Sequence, residues 1–320
     1  MGHLLCIGTA GMSVWFSRDL GETWSRPYSE SGLYLEARVW ALSVHPGRPG
    51  QVFAGTDSGI YRWDEAAQHW THLPSALDRL CVWSLAQAPH NPDLMLAGTQ
   101  PAGLYRSEDA GQTWRRLDVT FAVDCPFVHI PRVTQILFSP YDPMQVWCGV
   151  EIDGVWKSHD GGLTWRKSAA GLVSDDVHGL AAADGGKLLF ATTNKGLHAS
   201  RDGGAHWQHQ TLDSPWQYTR AVSVPNGDDR ELLLTNGNGP PGSTGRLLKS
   251  RDAGASWRDA GLPGTLNSTP WCVAADRSAP DVLFVPTNLG QLFRSTDHGQ
   301  SWQKLEREFG EVRSAVLLSV

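Results

Sequence analysis

Ser17-Arg18-Asp19-Leu20-Gly21-Glu22-Thr23-Trp24 is the first of six segments that share the pattern Ser-x-Asp-x-Gly-x-(Thr/Ser/His)-Trp. The others are SEDAGQTW ending at Trp114, SHDGGLTW at Trp165, SRDGGAHW at Trp207, SRDAGASW at Trp257 and STDHGQSW at Trp302. A seventh segment, RWDEAAQHW ending at Trp70, keeps the aspartate and the tryptophan and lacks the glycine. Successive tryptophans stand 42 to 51 residues apart, which is the period of a four-stranded propeller blade. Seven repeats predict seven blades.

Working outward from each repeat, a strand-turn-strand precedes it, as in AGTDSGIYR (54–62), CGVEIDGVWKS (148–158) and VPTNLGQLFRS (285–295). Alternating apolar positions bracket glycine-containing turns there, as hairpins require. An innermost strand comes before each hairpin, for example RVWALSVHP (38–46) and PRVTQILFSP (131–140). The chain opens on IGTAGMSVWFS, the second and third strands of a blade without its innermost strand, and GEVRSAVLLSV (310–320) has the missing pattern. The expectation is therefore an all-β, seven-bladed β-propeller of four-stranded antiparallel blades. One domain spans 1–320, its ring closed by the C-terminal strand pairing with the N-terminal blade.

The repeats resemble those of the Asp-box (BNR-repeat), sialidase-like superfamily, which includes sialidases, sortilin-type receptors, xyloglucanases and a propeller assembly factor of photosystem II. The resemblance covers nearly the whole chain. It implies that each motif forms the turn between the third and fourth strands of a blade. The physics of such a turn is readable: the aspartate accepts amide hydrogen bonds, the glycine supplies a positive φ, and the tryptophan packs between blades.

Composition narrows the function. The chain has 320 residues, 34 Gly, 19 Pro, 15 Trp and a formal net charge of −6. No basic stripe marks a nucleic-acid partner, and no apolar run is long enough for a membrane-spanning helix. The apolar N-terminus lacks the basic region of a leader and reads as a strand. Five scattered cysteines without metal or disulfide spacing fit a reducing, cytoplasmic setting.

In propellers the loops leading into the innermost strands open on one face, around the axial channel, and the repeat turns lie on the other. Aligning the inner strands brings Trp40, Trp83, Thr134, His178, Arg220, Trp271 and Arg313 to one equivalent position. The position two residues earlier holds Arg38, Cys81, Arg132, Asp176, Tyr218, Thr269 and Glu311. Tryptophans offer apolar walls. Arg38, Arg132, Arg220 and Arg313 offer forked donors for an acid. His178, Tyr218, Asp176 and Glu151 offer proton transfer. The competing reading is that these charges only neutralise one another as structural ion pairs. His129, beside Cys125 in the loop 120–132, is a further substrate-binding candidate. The hairpin tips Asp57, Glu151, Asn194, Asn236 and Asn288 form a candidate ring of oxygen donors for an axial Ca²⁺ or Mg²⁺, although tight turns favour Asn and Asp for local reasons too.

Three functions follow as expectations. The first is a hydrolase or lyase acting on an anionic, carbohydrate-like or aromatic small molecule at the axial mouth. The second is a non-catalytic scaffold that holds a protein or peptide on the same face. The third is a metal-dependent, lactonase-like hydrolase using the tip ring. Classical sialidase activity is disfavoured, because the order Ile130-Pro131-Arg132 is not the Arg-Ile-Pro motif of those enzymes.

Overall fold

Each repeat folds as one antiparallel sheet in the computed structural model, which describes residues 2–124, 130–225 and 227–320. Six sheets have four strands in sequential order. The remaining one joins Val14–Ser17, His3–Thr9 and Val312–Ser319. An isolated pair between Phe16 and Ser25 stands where its outermost strand would run. The ring is closed as expected: His3 pairs with Ser319 and the register continues to Thr9 opposite Val312. The result is a seven-bladed β-propeller. No helix among the described residues is long and apolar enough to cross a membrane.

A single blade cannot bury either face of its sheet, so the core is made between blades. The buried apolar residues form seven clusters, one at each blade interface. Leu4, Cys6 and Phe16 of the first blade, for example, pack on Val39, Val52 and Trp63 of the second. Blades approach most closely at glycines of the second strands. A Cβ on Gly98 would stand 2.6 Å from Val133 Cβ, and one on Gly149 would stand 2.6 Å from Val177 Cγ1. Three of the outer strands are just two charged residues long, Arg115–Arg116, Arg166–Lys167 and Arg258–Asp259. Such short, charged edges resist pairing with other chains.

The repeat turns share one hydrogen-bond pattern. Ser158 Oγ donates to Asp160 Oδ1 at 2.7 Å and accepts the Gly162 N–H at 2.9 Å. The other Asp160 contacts are Thr164 N–H at 2.9 Å, Leu163 N–H at 3.0 Å and the Thr164 hydroxyl at 2.5 Å. Two successive residues take positive φ there, 70° at Gly161 and 88° at Gly162. Antiparallel alternation puts these turns on the face where the inner strands end, away from where they begin.

Candidate functional site

The inner strands share an irregularity that sequence alignment alone does not reveal. Partner registers skip one residue after Val39, Val82, Val133 and Val177. They also skip Arg313 and, in the sixth blade, Arg220 with Ala221. The unpaired residues are Trp40, Trp83, Thr134, His178, Arg220 and Arg313. Trp271, the seventh, lies between the isolated pair Pro270–Thr287 and the ladder that starts at Ala274. A β-bulge leaves its extra residue out of the ladder and re-aims the side chain. In the fourth blade Val133 is held in the glycine gap of its neighbour, so the residue after it is free to turn toward the axis.

All seven of these residues line one cavity of about 290 Å³ at the axial mouth. A larger groove, of about 490 Å³ between the repeat turns around Asp252 and Gly299, contains none of them.

The aromatic and cationic side chains alternate around this mouth. Trp40 stacks on Trp83 with centroids 4.4 Å apart, and the Arg132 guanidinium lies 4.0 Å from the Trp83 ring. Arg220 lies 4.0 Å from Trp271. Arg313 is ringed by Trp271, Trp40 and Trp83 at 5.3, 5.4 and 5.8 Å. The tryptophan walls thus face arginines and, for Trp40 and Trp83, one another, an arrangement that fixes the guanidinium planes.

Charges are partly paired. Arg132 Nη2 meets Glu151 Oε1 at 2.6 Å, and Arg313 pairs with Glu311. No carboxylate lies within ion-pair distance of Arg220 among the described residues. Burial pushes the Arg313 guanidinium down to about 10, with the charges of Arg220 and Arg132 adding to the effect and Glu311 opposing it. His178 Nδ1 lies 2.8 Å from Thr219 O and its Nε2 3.3 Å from Asp176 Oδ2. Burial disfavours the Asp176 carboxylate, but His178, Arg220 and Arg132 outweigh it and hold the group below the ordinary range. The Tyr218 ring is 5.0 Å from His178. Burial pushes its phenol up, against the opposing charge of Arg220.

Several buried polar atoms here make no hydrogen bond within the protein: Trp40 Nε1, Arg132 Nε, Glu151 Oε2, Asp176 Oδ1, Tyr218 OH and Arg313 Nε. Each such group costs roughly 1–3 kcal/mol; Trp40 and Arg313 line the cavity and the other four stand behind its wall, a grouping that points to a site shaped for something other than stability.

The structure brings together most of the expected site residues. Arg38 is exposed at the rim and Thr269 is spent on Gly239 O. His129 and Cys125 lie outside the described residues. The expected ring of tip oxygens is largely committed elsewhere. Asn236 is fully buried inside the strand Leu232–Gly237, its amide donating to Tyr218 O and Trp216 O. Asn288 is buried and donates to Val312 O, and Asn194 accepts from Ser174 Oγ. Glu151 faces Arg132, and Asp57 is exposed. Among the described residues no three His, Cys, Asp or Glu side chains form a metal cluster. The alignment missed the pairing of Glu151 with Arg132. Register counted back from the bulge would have found it, since the Glu151 amide donates to Arg132 O at 3.0 Å.

Comparison with known proteins bears on the fold more than on this chemistry. The family model described as photosynthesis system II assembly factor YCF48 matches residues 173–315. A xyloglucanase of Paenibacillus sp. is 26% identical over 306 residues, covering 79% of this chain and 30% of that protein. The photosystem II assembly lipoprotein Ycf48 of Synechococcus sp. (strain CC9902) is 28% identical over 113 residues, covering 35% of this chain and 31% of its own length. The chain thus spans about a third of the curated relatives it matches. Among solved structures, a GH74 xyloglucanase from Xanthomonas campestris superposes with a TM-score of 0.65 at 23% identity, covering 83% of this chain and 45% of that one. YCF48 bound to D1 peptide does so with a TM-score of 0.56 at 13% identity, covering 84% and 81%. The common denominator of these matches is a BNR-like β-propeller with seven blades.

Proposed function

We propose that this protein binds a small anionic ligand at the axial mouth and acts on it as a hydrolase or lyase. The observation that carries this reading is that Arg220 and Arg313 line one cavity, with Arg132 stacked on the Trp83 of its wall, and that of these three Arg220 alone lacks a carboxylate partner among the described residues. A bidentate acid of the ligand would occupy Arg220. The Trp271 face fixes the plane of that fork, and Arg313 lies close enough to share the charge. Tyr218, His178 and Asp176 supply the proton-transfer set. In a lyase, His178 would take the proton α to a carboxylate neutralised by Arg220 or Arg313, and Tyr218, its phenol kept protonated by burial, would donate one to the departing group. We also read the six repeat turns as Asp-boxes with a structural role, since their polar groups are spent on one another.

A glycosidase of the xyloglucanase kind fits this mouth less well. That chemistry needs one carboxyl held protonated beside a second carboxylate, whereas Glu151 is bound to Arg132 and Asp176 is held ionised. The covered tryptophan faces also offer little to a neutral sugar.

The test replaces Arg220 and His178 singly by Ala and measures ligand-induced thermal stabilisation across carboxylic acids, phosphoesters and neutral sugars. Stabilisation by acids that is lost in Arg220→Ala supports the reading. No response in the parent protein, or one untouched by both substitutions, overturns it.

A protein-binding reading rests on a separate observation. Tyr28, Tyr34, Val123, Ile130 and Val173 are exposed by 75%, 69%, 87%, 47% and 62%, and all sit in segments leading into inner strands, around the mouth. An acidic peptide lying across this apolar rim with its carboxylate on Arg220 is the partner they fit, and the likeness to YCF48 bound to D1 peptide supports the idea. Pull-down by an acidic peptide that competes with the small acids would favour it.

A further inference from the structure

The axial channel has a second end. On the face of the repeat turns it widens into a funnel of about 590 Å³. Leu42, Leu85, Gln135, Ile136, Val222 and Ser223 line both cavities and form the waist between them. The two ends have opposite chemistry. The mouth gathers Arg220, Arg313 and His178, whereas the funnel wall is mainly Val, Leu, Ile, Ala, Pro and Phe side chains interrupted by Ser43, Gln87, Gln135 and Ser223, with Arg277 as its one titratable residue among the described residues. Ala86, Ala181 and Ala182 keep the funnel wide where larger side chains would fill it.

Two features of this space would suit an occupant with both an apolar body and an acceptor group. Gln87 lines it and is 9% exposed, its Oε1 accepting from Ser43 Oγ at 2.7 Å and its Nε2 making no hydrogen bond. Exchanging the two amide positions would leave the other atom unpaired, so a polar group is stranded in the wall either way. At the lip, Arg277 is exposed and has no carboxylate within ion-pair distance among the described residues. A volume of this size lies within the range of pockets that hold small organic ligands.

We infer that the funnel is a second ligand site, distinct from the mouth, for an apolar monocarboxylic acid such as a medium-chain alkanoate. The alkyl chain would lie along Val44, Leu85, Phe138 and Val224, and the carboxylate would meet Arg277. Burial of each methylene is worth about 0.8 kcal/mol, so affinity should climb with chain length, as it would not at a purely ionic site.

Isothermal titration of butyrate, decanoate and decanol into the full chain tests this. The expected result is one saturable decanoate site per chain, with butyrate too weak to measure. Arg277→Gln should weaken decanoate about 5- to 20-fold and leave decanol unchanged, and Ala86→Trp should block both. Arg220→Ala should leave decanoate binding intact, which separates this site from the axial mouth. Should Ala86→Trp fail to fold, Arg277→Gln, a change at an exposed residue, still decides the question. The inference is overturned by the absence of saturable decanoate binding up to 1 mM (roughly 4 kcal/mol on the affinity scale). Equal affinity in Arg277→Gln overturns it too, as does loss of decanoate binding in Arg220→Ala, or a decanoate response that proves to be self-association of the chain.

Discussion

Arg220 lies 4.0 Å from the Trp271 ring and meets no carboxylate among the described residues, unlike Arg132 and Arg313 beside it. A guanidinium over an indole face gains about 0.5–2 kcal/mol, enough to hold its plane without neutralising its charge. Trp271→Leu should therefore loosen Arg220 and weaken acid binding several-fold, while Arg220→Ala removes it. In both variants the melting temperature reports separately on folding. Acid binding that is unchanged in Trp271→Leu would show that the ring does not orient Arg220.

The Arg132–Glu151 pair has a different role. Glu151 is 5% exposed, and Arg132 stacks on Trp83. Removing one partner of a buried pair strands the other charge, at about 3–5 kcal/mol. Glu151→Gln and Arg132→Met should each destabilise by an amount of that order, and the double variant by clearly less than their sum. Denaturant unfolding of the four proteins closes this cycle. Strict additivity would mean that the two side chains do not interact.

His198, in the fifth blade, should contribute to acid sensitivity. It is fully buried, accepts the Val173 N–H at Nε2 and lies 5.2 Å from His209. Burial first, and then the charge of His209, push its pKa down to about 4 from the ordinary 6.5. Between those values the unfolded chain binds the proton and the folded chain does not. Its contribution is thus complete above about pH 6.5 and is lost as the pH falls toward 4, up to roughly 3 kcal/mol. His198→Gln keeps an acceptor for Val173 and removes the titration. The variant should show a flatter stability profile across this window, measured by thermal unfolding at stepped pH.

The repeat turns should prove structural. Asp160 accepts from Ser158, Leu163 and both donors of Thr164. Asp160→Ala removes these bonds at an exposed turn and should cost about 1–2 kcal/mol, with ligand binding at the mouth unaltered. A binding defect in a stably folded Asp160→Ala protein would contradict the separation of the two faces.

Much of the molecule was legible from Trp24 to Trp302, because a repeat that recurs once per blade fixes blade number, strand order and ring closure together. The equivalence of Trp40, Trp83, Thr134, His178, Arg220, Trp271 and Arg313 was legible for the same reason. What they do to one another was not. Whether Trp83 presents a bare face or carries Arg132 depends on contacts between the third and fourth blades, which no single repeat encodes. The environment of Asn236 was likewise not legible. A residue aligned with the hairpin tips turned out to lie within a strand, with its amide spent on Tyr218 O and Trp216 O. The bulges themselves are marked only weakly, by a β-branched Val39, Val133 or Val177 preceding a residue that breaks the alternation.

The central claim is that the axial mouth recognises acids through Arg220. Isothermal titration of inorganic phosphate, small mono- and dicarboxylates and a neutral xylo-oligosaccharide into the parent protein and Arg220→Ala tests it most directly. The account predicts saturable binding of at least one acid, weakened at least tenfold in Arg220→Ala, with no heat from the neutral sugar. Saturable binding of the neutral sugar alone, or acid binding of equal strength in both proteins, would contradict it.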